Sequence, residues 1–200
     1  MKIHTIRIAT GNPNKVSEIQ TMLGSSMKVK DLTGLSGLGE IQEDASTFTG
    51  NADIKALAVS QLCQDFVLAD DSGLCVNGLN GAPGVRSARY AGEEASMEQN
   101  KKLLLENLKG QKGEAREAYF ICALSVAYRG EIVARFEGKS HGRIITEECG
   151  EEGFGYDPMF VPEGLDRTFA QISAAEKNKI SHRARAMQSF CSWLEEQNNA

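Results

Sequence analysis

Four short stretches of the chain carry residue types that could do chemistry together. Thr10-Gly11-Asn12-Pro13-Asn14-Lys15 sets a hydroxyl, a glycine, amide side chains and a lysine at the start of a helical pattern. Free backbone N–H groups and the positive end of a helix dipole favour a polyphosphate at such a start. It is not a Walker A loop, which needs Gly-Lys-Ser/Thr after a four-residue gap, and a capped turn with a solvated lysine is the ordinary alternative. Glu43, Asp70 and Asp71 form a second group. Carboxylates at a helix start and a strand end can converge on a hard cation, and Mg²⁺ is usually held by one or two of them plus substrate phosphates. Asp70 and Asp71 fall on opposite sides of an extended chain, so only one faces such a site; adjacent acids also simply solvate a strand end. Lys55 lies near the apolar face of a helical pattern, as either a snorkelling surface lysine or a phosphate contact.

The third stretch is Phe154-Gly155-Tyr156-Asp157, followed by Pro158. An aromatic ring in a glycine loop can stack on a base, and glycine lets a ligand approach the backbone closely. The alternative is a Phe that anchors the loop to the core. The fourth, Glu176 to Arg183, places Ser181 as the cap of a helix whose first turn presents His182 and Arg183. These could donate to a base carbonyl or an anion, or be the exposed charges of an unremarkable helix start. Phosphate donors, a metal-ready carboxylate pair, an aromatic loop and base-reading donors are, taken together, the parts of a nucleotide hydrolase.

The elements that position these groups can be read from periodicity. Ile6 and Ile8 alternate with polar neighbours in a strand over 3–9, which Gly11 and Pro13 break. Val16, Ile19 and Leu23 continue as a helix ending near Gly24. Residues 25–42 are rich in Gly and Ser and read as a strand near 27–32 and a loop. Phe48, Ala52, Ala56, Val59 and Cys63 keep a helical period, predicting a helix over 45–62 capped by Asp44 or Ser46. The apolar run 66–69 reads as a buried strand ending in Asp70 and Asp71, and 78–84 must be irregular. Ser96 and Gln99 make a capping box for a helix that stops at Gly110. The runs 119–128 and 131–137, joined by Arg129-Gly130, predict a hairpin. Residues 149–166 form another glycine-rich loop. From Ser181 onward, Ala184, Met187, Phe190, Cys191 and Leu194 share one face of a terminal helix. Strand-helix units followed by a hairpin imply an α/β domain with a mixed sheet.

Composition sets the outer limits. Two hundred residues suit one domain with a real core. With 41% apolar and 24% charged residues the chain is neither disordered nor fibrous. A net charge of −5 lacks the positive field that polymeric nucleic acid requires, though a local basic pocket remains open. Five widely spaced cysteines without a CxxC pair read as reduced thiols. No signal peptide and no apolar run long enough to span a bilayer is evident, so a cytoplasmic protein is expected, with no membrane partner.

The motifs together resemble the inosine triphosphate pyrophosphatases of the Ham1 and RdgB type. The matching residues are Thr10-Gly11-Asn12 with Lys15, Glu43, Thr47-Phe48, Asn51-Ala52, Lys55-Ala56 and Ala69-Asp70-Asp71-Ser72-Gly73-Leu74. They continue with Gly81-Ala82-Pro83-Gly84, Ser87-Ala88-Arg89-Tyr90, Gly153 to Pro158 with Phe160, Glu176-Lys177 and Ser181-His182-Arg183. The resemblance implies an elongated, two-lobed mixed α/β fold with a cleft between the lobes, and a homodimer. It also implies hydrolysis of deaminated purine nucleoside triphosphates such as ITP, dITP and XTP to the monophosphate and pyrophosphate. Carried over by position, Thr10, Gly11, Asn12, Pro13, Asn14, Lys15 and Lys55 would hold phosphates, and Glu43 and Asp71 would hold Mg²⁺. Asp71 would also be the general base and Ser72 a substrate contact. Phe154, Gly155, Tyr156, Asp157, Lys177, His182 and Arg183 would form the nucleoside pocket. Gln42 stands where that family often has an acid, so the resemblance supports two carboxylate ligands and not a third.

Overall fold

The computed structural model describes residues 2–25 and 27–199, so that Ser26, within the stretch 25–42, lies outside the described residues. β1 (Thr5–Ile8) buries Ile6 and Ile8, as their alternation predicts. α1 (Pro13–Leu23) starts where the turn residues stop, because the Asn12 side chain accepts from the backbone N–H groups of Asn14 and Lys15 and Pro13 occupies the first helical turn. β2 (Lys28–Lys30) is followed by a long irregular stretch up to α2 (Phe48–Ser60). The expected cap of α2 moves: Thr47, not Asp44 or Ser46, accepts from Gly50 N–H at 3.0 Å, so the helix begins at Phe48.

β3 (Phe66–Val76) corrects a second expectation, because the strand does not end at its two acids but runs on through Ser72 and Gly73 to Val76. Buried carboxylates usually terminate a strand by seeking water. Here each acid meets a cation, as described below, so the backbone ladder can continue past them. A short 3₁₀ turn (Asn77–Leu79), the cis Ala82–Pro83 peptide and a longer 3₁₀ segment (Gly84–Arg89) fill the expected irregular loop. α3 (Met97–Asn107) has the reciprocal Ser96/Gln99 capping box.

β4 (Glu117–Tyr128) and β5 (Glu131–Ile144) form the expected hairpin, although β5 runs well beyond Glu137. Arg129 at φ 53° and Gly130 at φ 81° give the tight turn the positive dihedrals it needs. β6 (Phe160–Pro162) pairs antiparallel with β5. α4 (Ala174–Ile180), absent from the periodicity reading, is only seven residues long, and Ser181 alone separates it from α5 (His182–Asn199). Among the described residues, no helix is long and apolar enough to cross a membrane.

The strand order is β2-β1-β3-β4-β5-β6, with β1 parallel to both β2 and β3. With β5 and β6 antiparallel, this is a mixed sheet in an α/β fold. The chain divides into two compact units. The first comprises Met1–Asp71, Cys122–Gly138 and Arg183–Ala200, and the second Ser72–Ile121 and Lys139–His182. Ile6, Ile8, Ile19, Leu68, Leu124, Met187 and Phe190 form the main core of the first unit. Leu74, Leu104, Phe120, Phe160 and Phe169 centre that of the second, where the Phe120 and Phe160 rings meet edge to face at 4.8 Å. Each such large apolar side chain contributes about 1.5 to 3 kcal/mol by leaving water.

Candidate active site

In the first unit the helix-start loop folds on itself. Asn12 N–H donates to Thr10 Oγ1 at 3.2 Å, and Asn12 Oδ1 accepts from Asn14 N–H at 3.0 Å. The Lys15 ammonium turns inward and meets Asp70 Oδ1 at 2.6 Å. Gly11 is exposed, and a Cβ there would meet nothing within 4 Å. The loop therefore presents open backbone at Gly11 beside a capped helix start and a lysine tied to a buried acid.

Alternation along β3 sends its two acids to different partners. The Asp70 carboxylate is fully buried: Arg183 Nε donates to its Oδ2 at 2.7 Å, Lys15 to its Oδ1, and the Cys122 thiol to its Oδ2 at 3.2 Å. Burial alone would raise its pKa, but the Arg183 and Lys15 charges outweigh that and hold it well below the usual carboxylate range. Arg183 is 1% exposed and also reaches Glu18 through Nη1 at 2.5 Å. That places the Arg183 guanidinium in a buried ion network of the first unit.

Asp71 faces the other way, toward α2. Its Oδ1 accepts from Lys55 Nζ at 3.1 Å and its Oδ2 from Asn51 Nδ2 at 3.3 Å. The same Lys55 ammonium meets Glu43 Oε2 at 2.5 Å. Lys55 is 8% exposed, so it is not a snorkelling surface lysine. Its burial favours the neutral amine, yet the Asp71 and Glu43 charges outweigh that and raise its pKa. For Asp71, burial is the largest influence and pushes the carboxyl up; Lys55 and Lys15 oppose this, and the neighbouring Glu43 charge adds to it. A buried carboxylate with an elevated pKa and a second carboxylate beside it is poised to gain from a cation or to accept a proton.

Glu43 and Asp71 also meet the chemical requirement for a hard cation. Both offer carboxylate oxygens to one shared point, now marked by the Lys55 ammonium, and Glu43 remains 31% exposed. Among the described residues no cluster of three or more His, Cys, Asp or Glu is placed to hold a metal. Such a two-carboxylate set suits Mg²⁺, which takes its other ligands from water and phosphate, and does not suit a structural zinc.

The periodicity reading of α2 did not assign a role to Asn51. It is 1% exposed and lies one helical turn before Lys55, on the same face. Its Oδ1 accepts from Ala45 N–H at 3.0 Å. An amide four residues ahead of the lysine, and so on its helix face, was the available sequence signal.

The second unit carries the aromatic loop. Asp157 is buried, and its Oδ2 accepts from Phe154 N–H at 2.8 Å and from Lys177 Nζ at 2.6 Å. Lys177 Nζ also lies 4.6 Å from the centroid of the Phe154 ring, a cation–π contact. Asp157 thus ties Phe154 to Lys177 and makes one assembly of two residues that the sequence separates. Gly153, at φ 75°, permits this, because a Cβ there would fall 2.2 Å from Asp157 Oδ2. Gly155 has φ 65°, Tyr156 is buried, and its hydroxyl donates to Ser87 O at 2.9 Å. His182 is 5% exposed and stacks on Phe120 at 4.8 Å. Ser72 lies at the middle of β3, just after Asp71.

Known proteins match this chain along almost its whole length. The family model described as the Ham1 family matches residues 6–193. A protein of Opitutus terrae named dITP/XTP pyrophosphatase is 43% identical over 96% of this chain and 98% of its own length. One of the same name from Bacillus subtilis is 46% identical over 94% of this chain and 96% of its own. Among solved structures, the Staphylococcus aureus Ham1 protein superposes with a TM-score of 0.86 at 38% identity, covering 96% of this chain and 99% of that one. A HAM1 protein from Coxiella burnetii gives 0.87 at 36% identity, covering 98% and 100%. The capped Thr10 to Lys15 loop, the Glu43/Asp71 pair on Lys55 and the Asp157-held aromatic loop thus stand within a match that spans nearly every residue, and the chain belongs to the Ham1 family.

Proposed function

We propose that the protein hydrolyses deaminated purine nucleoside triphosphates, such as ITP, dITP and XTP, to the monophosphate and pyrophosphate. The observation that carries this reading is the buried Asp71 carboxylate, flanked by Glu43 and gripped by Lys55 and Asn51. The names of the bacterial relatives narrow it to dITP and XTP as substrates.

In the proposed reaction a water oxygen bonds to the α-phosphorus while the α–β anhydride bond breaks and pyrophosphate leaves. Asp71 orients that water and takes its proton, a task that suits a carboxylate whose pKa burial has raised. Glu43 and Asp71 would hold Mg²⁺, which supplies charge neutralisation at the phosphates. Lys55, fixed between the two acids, keeps a positive charge beside the transferring group. Thr10, Gly11, Asn12, Pro13, Asn14 and Lys15 receive the phosphate chain at the start of α1. Ser72 contacts substrate. In the second unit, Phe154 stacks on the base, with Gly155, Tyr156, Asp157, Lys177 and His182 around it. Arg183 is assigned to the nucleoside end by resemblance alone; its observed partners, Asp70 and Glu18, belong to the first unit. The same reading takes the working form as a homodimer in a reducing cytoplasm; none of the five cysteines forms a disulfide among the described residues.

Product analysis tests the reaction. With Mg²⁺ present, ITP and XTP should each release one pyrophosphate and one monophosphate, and ATP should release almost none. Orthophosphate as the product, or no product from ITP and XTP, would overturn the reading. Gly11 supplies a second test. Because a methyl group there meets no protein atom within 4 Å, Gly11→Ala should leave the melting temperature unchanged. Crowding an approaching phosphate, it should raise KM by roughly tenfold. An unchanged KM would remove Gly11 from the phosphate site.

A further inference from the structure

Glu43 comes from a segment without regular structure: no helix or strand lies between β2 and α2. Something other than a hydrogen-bonded ladder must hold it opposite Asp71. Two side chains of α2 do so, and they stand one turn apart. Lys55 bonds Glu43 and Asp71 through a single ammonium. Asn51 makes the second link: its Nδ2 donates to Asp71 Oδ2 and its Oδ1 accepts from the backbone N–H of Ala45, two residues past Glu43. One buried amide thereby uses a donor on the carboxylate and an acceptor on the segment, and this pairing fixes which way the amide faces. Gly50 completes the seat. A Cβ on it would lie 2.7 Å from Ala45 Cβ, so only glycine lets the segment settle on the first turn of α2.

We infer that Asn51 is a positioning residue that couples the Asp71 carboxylate to the Glu43 segment and so sets the spacing of the two acids. The inference rests on the catalytic reading of Asp71 and Glu43. It differs from a simple tether between loop and helix, because Asn51 also orients the second oxygen of Asp71, the one Lys55 does not touch. Residues that orient the groups around a metal or reacting centre typically cost ten- to a hundred-fold in affinity or activity when lost.

Two variants separate these roles. Asn51→Ala removes both bonds, and Asn51→Asp keeps an acceptor for Ala45 N–H while replacing the donor to Asp71 with a like charge. Amide hydrogen exchange, read on the protein without nucleotide, should show Ala45 exchanging at least about tenfold faster in Asn51→Ala and near the wild-type rate in Asn51→Asp. Steady-state assays with XTP should show kcat lower by roughly ten- to a hundred-fold in both variants, with KM within about threefold of wild type. Wild-type kcat in either variant, or recovery of kcat in Asn51→Asp, overturns the inference and leaves Asn51 a tether at most. Unchanged Ala45 exchange in Asn51→Ala overturns the link to the segment. If the wild-type enzyme releases no pyrophosphate from XTP, the catalytic reading itself fails, while the exchange result still reports the Ala45 bond.

Discussion

Replacing Asp71 with Asn should lower kcat by about three orders of magnitude, within the range of a lost general base, while the protein stays folded. The substitution keeps the volume of the side chain and its place on β3. Lys55 does not become an uncompensated buried charge, because Glu43 still meets its Nζ at 2.5 Å. Losing Asp71 also removes the repulsion between the two acids, which partly offsets the lost ion pair. A melting temperature within a few degrees of wild type is therefore expected beside a collapse in pyrophosphate release. Activity within tenfold of wild type would take the proton-accepting role away from Asp71.

The neighbouring substitution, Asp70→Asn, should act in the opposite manner, on stability first. Asp70 is fully buried, and an amide in its place takes from the buried Arg183 guanidinium the carboxylate that meets its Nε, while Glu18 still meets its Nη1. It also points an N–H group toward donors from Arg183, Lys15 or Cys122. Removing one member of a buried ion pair costs about 3 to 5 kcal/mol, which for a chain of this size lowers the melting temperature by roughly 10 °C. The acid response should change too. Because the folded pKa of Asp70 lies below its unfolded value, its contribution is complete above about pH 4 and is lost as the pH falls toward the folded value. Melts between pH 3 and pH 7 should show a shallower acid loss in Asp70→Asn than in wild type. A variant as stable as wild type would mean that the network contributes nothing net.

These contrasting outcomes for adjacent residues mark how far the sequence could be read. Alternation along an extended chain already required Asp70 and Asp71 to face apart, and the structure bears this out. Which of them meets the arginine was not legible, because Arg183 lies 113 residues further on. The same distinction runs through the fold. The Ser96 and Gln99 box, the Ile6 and Ile8 alternation and the apolar face of α5 involve neighbours along the chain, and all appear as expected. The extent of β3 and the state of Lys55 do not. Two acids in a row look like the end of a strand until distant cations neutralise them, and a lysine on a helix looks solvated until Glu43 and Asp71 close around it. Seven-residue α4 offers too few turns for a period to emerge.

The candidate site divides in the same way. Its residue types, and the resemblance they carry, were legible from the order of the motifs from Thr10 to Arg183. The joining of Phe154 to Lys177 through Asp157, and of Asp71 to Ala45 through Asn51, required the folded chain. Periodicity, capping and turn chemistry act between residues a few positions apart, so the linear order records them directly. Pairing of buried charges and orientation of buried amides depend on groups that meet only after long loops close, and the low dielectric of the interior then makes those meetings decisive.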